Sequence, residues 1–209
     1  MTANSQAEKK TKSNRNIFQE YSEAFVVAVV LAIIIRALFV QAFKIPSGSM
    51  QPTLLIGDHI LVNKLIYGIR IPFTDKRFPE FVQPRRGDVI VFVFPEDRTK
   101  DFIKRVVAVA GDTIEIRNKQ VILNGQAVTN PHARFSSNMV YPGDMNRRDN
   151  MKPETVPPGH LFVMGDNRDE SHDSRFWGFV PLEDVKGEAF LIYYSAHPDG
   201  WRRLFNVIR

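Results

Sequence analysis

Ser49 lies in a stretch that could display a nucleophile, KIPSGSMQPT at 44–53, directly after the long apolar run of the chain. Glycine and proline favour turns, so the Ser49 hydroxyl is expected on a loop. A serine hydroxyl is a weak nucleophile until a base removes its proton, and that base must be neutral at the working pH. The pattern predicts a hydrolase that acts close to a bilayer, provided that a base lies within reach.

Lys104 is the candidate base, within the apolar stretch FIKRVVAVA at 102–110. A free lysine ammonium titrates near pH 10.4, and burial can lower this pKa by up to about 3 to 5 units. On a strand, Phe102 and Val106 share the face of Lys104 and supply apolar surroundings. Arg105 stays protonated, so we expect it to pair with a carboxylate or to position a neighbour.

The apolar run predicts a membrane anchor over 21–43. About 20 such residues span roughly 30 Å as a helix, and the polar residues Arg36 and Gln41 lie near the C-terminal end, where long side chains reach the headgroups. A cleavable signal peptide would have a shorter apolar part and an A-x-A site, and a buried core helix would be shorter and one-sided.

Basic residues before this run set the expected topology. The segment 1–20 is polar, contains Lys9, Lys10 and Lys12, and is predicted to be a cytoplasmic tail. The chain would then cross the membrane once, with 44–209 outside the cytoplasm. These segments must hold Ser49 at the bilayer surface.

The remainder, 44–209, predicts a mainly β domain with antiparallel sheets. Short apolar or alternating runs bounded by Gly, Pro and Asp indicate strands, and the Asn124-Gly125 pair indicates a hairpin. We expect a small inserted subdomain over 118–160, in which 130–158 has no regular period. The predicted strands lie at 88–94, 102–110, 113–117, 121–128, 161–164 and 189–194.

Composition narrows the chemistry further. The chain has 209 residues, a net charge of +5 and no cysteine, which excludes disulfides, thiol nucleophiles and thiolate metal sites. No nucleic-acid-binding motif accompanies the basic charge, so no nucleic-acid partner is predicted. The five histidines lack metal-ligand spacing, so neither a metal nor a cofactor is expected. The pair His172-Asp173 leaves a Ser/His/Asp triad as an alternative to Lys104.

Four blocks of the sequence resemble the bacterial type I signal peptidases, membrane-anchored Ser/Lys proteases also called leader peptidases. The blocks occur in the family order at 46–53, 86–92, 104–112 and 165–175. The resemblance implies that Ser49 is the acylated nucleophile and Lys104 the general base. It also implies that the Ser47 hydroxyl and the Ser49 backbone N–H donate to the oxyanion.

The last block supplies supporting residues by the same resemblance. Ser171 would orient the lysine, with Asp173 and Arg175 as supporting charges. Independently of the family, a Gly-Asp-Asn-Arg run forms turns and carries side chains that can hydrogen-bond around a buried amine.

The resemblance also implies the reaction and its place. Signal peptides would be cleaved from translocated preproteins at a bacterial cytoplasmic membrane, after small residues as in A-x-A. Such a substrate requires two shallow apolar pockets, for which we name Phe43, Ile45, Ile103 and Val106. The aromatic residues Phe73, Phe78 and Phe81 are candidates for a surface that contacts lipid.

Two other functions remain open at this point. One is a related Ser/Lys protease dedicated to a single client, as in pilin maturation. The other is a membrane-tethered β module without enzymatic activity. Cleavage of several unrelated preproteins would exclude the first, and loss of function in Ser49→Ala would exclude the second.

Overall fold

The computed structural model describes residues 17–70, 77–78, 82–143, 145–198 and 200–209. The chain divides into two units, 1–37 and 38–209. The described part of the first unit is helix α1, Ile17–Leu38, and its side chains are exposed over 20–33, with Phe25 70% accessible. None of the helices in the described ranges combines the length and the apolar character that crossing a bilayer requires.

The boundary predicted after Phe43 is wrong, because Val40–Lys44 forms strand β1. This strand pairs antiparallel with Asp58–Asn63, and Phe43 lies opposite Ile60. The backbone groups of 40–44 that face β2 are therefore paired within a sheet, and Phe43 packs against a core cluster that includes Ile45. The second unit starts at Leu38, and at the other end of the helix Ile17–Glu20 belongs to α1 instead of the expected tail.

The described residues also contain fourteen strands, including β1, and a second helix, the short α2 at Ser174–Trp177. The strands after β1 are β2 Asp58–Asn63, β3 Ile69–Arg70, β4 Arg77–Phe78, β5 Val89–Val93, β6 Asp101–Val109, β7 Thr113–Arg117, β8 Gln120–Leu123, β9 Gln126–Val128, β10 Met151–Thr155, β11 His160–Met164, β12 Val180–Pro181, β13 Val185–Ser195 and β14 Asn206–Val207.

The main sheet has eight strands in the order β1-β2-β13-β5-β6-β11-β12, with β14 paired to β13. Its pairs are antiparallel, which confirms the mainly β prediction. The predicted strands 88–94 and 102–110 correspond to β5 and β6, which pair with Ile90 opposite Lys104. This pairing places Lys104 in the interior of the sheet.

A smaller sheet has the order β10-β7-β8-β9. The predicted hairpin is confirmed: Asn124 and Gly125 connect β8 to β9, and both have positive φ, 51° and 79°. This sheet begins at Thr113, five residues before the predicted start of the inserted subdomain at 118. Its Ile114 and Ile116 share a core cluster with Phe162 of the main sheet. Because the two sheets share one apolar core, the smaller one is a layer of the same unit.

The irregular segment 129–150 is tied to the loop that follows β11. Arg134 N–H donates to the Asp166 carbonyl at 2.7 Å, and Arg168 N–H donates to the Arg134 carbonyl at 2.8 Å. The Asp169 carboxylate accepts hydrogen bonds from the backbone of Ser136 and Ser137, each at 2.9 Å. The segment therefore holds the loop 165–171 in position. The candidate lipid-contacting residues Phe73 and Phe81 lie outside the described residues.

Candidate active site

Ser49 lies on a tight loop between β1 and β2. Gln51 N–H donates to the Gly48 carbonyl at 3.1 Å, and Leu54 N–H donates to the Met50 carbonyl at 2.9 Å, so the loop makes successive turns. The Ser49 carbonyl accepts a hydrogen bond from Asn167 N–H at 3.0 Å. The loop is thus fixed from within and by the segment after β11, and Ser49 is 9% exposed.

Lys104 reaches Ser49 from strand β6. The distance between Lys104 Nζ and Ser49 Oγ is 2.8 Å, and the Ile103 carbonyl accepts a second hydrogen bond from Nζ at 3.0 Å. Nζ also lies 5.2 Å from the centre of the Phe102 ring, on the face that the alternation of the strand predicts. The lysine is 4% exposed, so its amine is almost completely removed from water.

Burial is the main influence on the protonation of this lysine. It lowers the pKa of Lys104 to about 8, because the charged ammonium loses its hydration. The Asp173 carboxylate raises this pKa and the Arg175 guanidinium lowers it, so the two charges act in opposite directions. A substantial fraction of the amine is therefore neutral in mildly alkaline solution and can accept a proton from Ser49.

Asp173 and Arg175 form a buried ion pair next to the lysine. Arg175 Nε donates to Asp173 at 2.8 Å, and Gly165 N–H donates to the same carboxylate at 3.0 Å. Burial raises the pKa of Asp173, but the charge and hydrogen bonds of Arg175 outweigh it, so the pKa lies below its usual value. Asp173 is thus a fixed negative charge that also caps helix α2, and its supporting role stays a prediction.

Gly165 is a constituent of the site that was not predicted from the sequence. A Cβ at this position would overlap with Ser171 Oγ and with the Ser49 carbonyl oxygen. Only glycine lets the strand β11 end this close to both serines. The Ser171 hydroxyl is buried here and contributes to the low pKa of Asp173, but no described atom forms a hydrogen bond of normal geometry with it. Its predicted role in orienting Lys104 stays a prediction.

A second buried ion pair joins three segments of the site. Arg105 donates to Asp166 through Nε at 2.8 Å and through Nη2 at 2.7 Å, as a bidentate pair. Thr53 Oγ1 donates to the same carboxylate at 2.6 Å. The contact between Arg105 and Asp166 confirms the prediction that Arg105 pairs with a carboxylate. Together with Thr53, it connects the serine loop, β6 and the loop after β11. Asp166 and Thr53 were not predicted, although both lie in the matching blocks.

The sequence model of the family described as "Signal peptidase, peptidase S26" matches residues 18–194. The chain belongs to this family. It is 38% identical over 205 residues to the signal peptidase I of Pseudomonas fluorescens, an alignment that covers 84% of this chain and 72% of that protein.

Further similarities carry the same family name. The signal peptidase I of Aquifex aeolicus is 35% identical over 220 residues, covering 80% of this chain and 81% of that protein. The crystal structure of a signal peptidase I from Enterococcus faecalis V583 is 29% identical, with a TM-score of 0.41, and covers 51% of this chain and 97% of that one. The family match and the sequence relatives make the chain a serine peptidase of the signal peptidase family.

Ser47 lies on the open side of the serine loop in this signal peptidase family member. Its side chain is exposed, two positions before the buried Ser49. Its predicted role as an oxyanion donor stays a prediction.

The predicted pocket residues separate into two groups. Phe43 and Ile103 are partly exposed and pack against a cluster that contains the buried Ile45. Val106 is 1% exposed and packs with Phe92 and other residues of a different cluster. Val106 thus packs apart from the cluster of Phe43 and Ile103, and its predicted role as a pocket wall stays a prediction.

The alternative base His172 does not contact Ser49. Its side chain is exposed, and its ring lies 6.3 Å from that of Phe94 and 5.3 Å from that of Phe176. The adjacent Asp173 is committed to Arg175. The Ser/His/Asp alternative is wrong, since neighbouring residues at this turn point in different directions.

Proposed function

We propose that this enzyme removes signal peptides from preproteins with Ser49 as the acylated nucleophile and Lys104 as the general base. The observation that carries the proposal is the 2.8 Å contact between Ser49 Oγ and a lysine that is 4% exposed. A serine hydroxyl needs a neutral base in hydrogen-bond contact, and burial supplies the neutral amine.

The proposed reaction has two stages with one proton carrier. Ser49 Oγ attacks the scissile carbonyl while its proton moves to Lys104 Nζ, and the protonated lysine then gives this proton to the departing amine. A water molecule next attacks the acyl-enzyme while one of its protons moves to Lys104, and Lys104 gives this proton to Ser49 Oγ as the ester bond breaks. In both stages the oxyanion would accept hydrogen bonds from the Ser47 hydroxyl and the Ser49 backbone N–H.

We assign the supporting roles to the group around Gly165. The Asp173 and Arg175 pair would keep the pKa of Lys104 within reach of neutral pH, because their effects oppose each other. Gly165 and Ser171 would fix the position of the Ser49 carbonyl. Preorganisation of this kind limits the rearrangement needed when charge develops in the transition state.

The substrate would bind as an extended chain over the exposed apolar surface next to Ser49. Phe43 and Ile103 are the proposed walls for the small side chains before the cleavage site, with the buried Ile45 beneath them. Strand β1 is an edge of the main sheet as described, so its outer backbone groups can pair with a peptide.

We further propose that 21–38 anchors the enzyme in the cytoplasmic membrane, with the N-terminus inside and 39–209 outside. The apolar sequence and the exposure of Phe25, Leu31 and Ile33 in α1 support a lipid environment. Basic residues before the segment support the orientation. Added protease should digest the large C-terminal part in spheroplasts, and protection until the membrane is permeabilised would contradict this topology.

One assay tests the proposed activity. Detergent-solubilised full-length protein is incubated with several unrelated preproteins and with versions whose A-x-A site is blocked by large residues. Wild type should release signal peptides from the unmodified preproteins but not from the blocked versions. Ser49→Ala should release none. Cleavage that persists in the folded Ser49→Ala variant would refute the proposed nucleophile.

A further inference from the structure

Arg168 is a buried cation without a carboxylate partner among the described residues. Its side chain is 3% exposed, its Nε is enclosed without a hydrogen bond, and no described carboxylate pairs with it. The neighbouring arginines differ, since Arg105 pairs with Asp166 and Arg175 pairs with Asp173. Burial, with the charge of Arg175, lowers the pKa of Arg168 to about 10, so the guanidinium is still charged at neutral pH.

The Arg168 side chain lines a cleft of about 370 Å³ between the two sheets. Val121, Leu123 and Val128 of the smaller sheet form an apolar wall, and Arg86 lies at the same cleft. A second cleft, of about 310 Å³, also includes Arg168 and Val128. Arg168 thus lies at the border of both clefts and is largely shielded from bulk water.

The charge balance of the first cleft is positive. None of its lining residues is an aspartate or a glutamate. Arg86 and Arg105 are neutralised by Asp112 and Asp166 respectively. His132 has a pKa lowered by burial and by Arg105, so it is neutral at physiological pH. Arg209 adds a further guanidinium at this cleft, so together with Arg168 the lining carries positive charge that no acidic lining residue compensates.

We propose that this cleft binds a small organic anion, a carboxylate or phosphate that pairs with Arg168 and is carried on a compact apolar group. The planar guanidinium donates to two oxygens of such a group at once, and in low dielectric this pairing is strong. The apolar group packs against Val121, Leu123 and Val128. The same chemistry is found in soluble phosphate monoesters or carboxylic acids and in the headgroup region of acidic lipids.

The position of Arg168 couples the cleft to the catalytic region. The Arg168 carbonyl accepts a hydrogen bond from Arg175 Nη2 at 2.6 Å, and its N–H donates to Arg134. The preceding residue, Asn167, donates to the Ser49 carbonyl. An anion held by Arg168 stabilises this loop, so its binding should raise the melting temperature of the folded protein.

Thermal unfolding of the full-length protein in detergent tests the proposal with defined probes. Phenyl phosphate should raise the melting temperature in a saturable manner, with a dissociation constant on the order of millimolar for a ligand of this size. Benzyl alcohol and inorganic phosphate should each give a much smaller shift, since each has only half of the required chemistry. Equal shifts with inorganic phosphate and phenyl phosphate would overturn the apolar part of the proposal.

Three variants make the test specific. Arg168→Met should abolish the shift in melting temperature. Val128→Glu should abolish it too, because it places a carboxylate at the cleft. Val128 is a surface position, so this second variant keeps the test valid if Arg168→Met does not fold. The matched control is Arg98→Met, which removes an arginine paired with Asp184 elsewhere on the surface and should keep the full shift. A phenyl phosphate shift that persists in both Arg168→Met and Val128→Glu, or is absent from wild type, would overturn the proposal.

A last pair of measurements distinguishes the two sources of the anion. The protein is placed in nanodiscs of phosphatidylcholine alone or with phosphatidylglycerol. If phosphatidylglycerol weakens the binding of phenyl phosphate in wild type, acidic headgroups occupy the cleft. If it has no effect, the anion is a soluble one.

Discussion

Lys104 Nζ lies 2.8 Å from Ser49 Oγ, although the two residues are 55 positions apart in the sequence. Strand pairing produces this contact, because β6 is held between β5 and β11 while the serine loop follows β1 at the edge of the sheet. Ser49 and Lys104 are buried together, and the fold that buries the lysine also lowers its pKa.

The close approach at Gly165 predicts a severe effect of Gly165→Ala. The added methyl group would overlap with Ser171 Oγ and the Ser49 carbonyl oxygen, so either the serine loop or the strand end must move. We expect turnover to fall by about 100-fold or more, since a displacement near 1 Å at a catalytic group has that cost. The measurement is the cleavage rate of a signal-peptide substrate, with circular dichroism to monitor folding.

Gly111→Ala is the matched control for this effect. Gly111 has a φ of 87°, and a methyl group added to its Cα would meet open space, so the substitution strains the backbone without a clash. It should destabilise the fold by about 1 kcal/mol or slightly more while the folded enzyme keeps its rate. Equal losses of activity in both glycine variants would show that the contact with Ser49 is unimportant.

Ser47→Ala tests the oxyanion donor. The Ser47 side chain is exposed, so the variant should fold normally. Turnover should decrease by the equivalent of about 2.7 to 4 kcal/mol of transition-state stabilisation, and Ser47→Thr should be milder because it keeps the hydroxyl. Steady-state kinetics give the comparison, and an unchanged kcat in Ser47→Ala would remove Ser47 from the mechanism.

The buried lysine also predicts a pH-dependent stability. Its pKa is about 8 when folded and near 10.5 in the unfolded chain, so the unfolded state binds more protons between these values and stability rises with pH across this window. Below about pH 8 the lysine destabilises the fold by roughly 3 kcal/mol. The free energy of unfolding of Lys104→Met minus that of wild type should therefore be larger at about pH 7 than above pH 10. The increase should be roughly 3 kcal/mol.

Urea unfolding of the two proteins at both pH values measures this difference, in which the other titrating groups cancel. Lys186→Met is a suitable control, because this lysine is a partly exposed residue paired with Asp101. A stability difference that does not change with pH in Lys104→Met would mean that the lysine has an ordinary pKa.

Local sequence patterns predict much of the secondary structure but fewer of the long-range contacts that hold the site together. Ser49, Lys104 and the hairpin at Asn124-Gly125 were each indicated by short segments. The strand at 40–44 was missed because the apolar run continues from helix to strand without a break, and hydrophobicity alone does not separate the two. Its antiparallel partner β2 decides the conformation.

The roles of Asp166 and Thr53 depend on long-range contacts. Thr53 and Asp166 are 113 positions apart, and no periodicity in either segment indicates their hydrogen bond. The position of the irregular segment near 134–137 likewise depends on backbone hydrogen bonds to the loop after β11. Patterns of residue type show which side chains can do chemistry, while tertiary pairing decides which of them meet.

The pH dependence of kcat/KM on a signal-peptide substrate tests the central claim most directly. The proposed base must be neutral, so activity should rise with pH along an acidic limb centred near the lysine pKa of about 8. Lys104→Ala, Lys104→Arg and Lys104→His should fold and lack this activity, because arginine stays charged and imidazole does not reach Ser49. His172→Ala should keep the wild-type profile. Substantial cleavage by folded Lys104→Ala, with loss of activity in His172→Ala, would contradict the account.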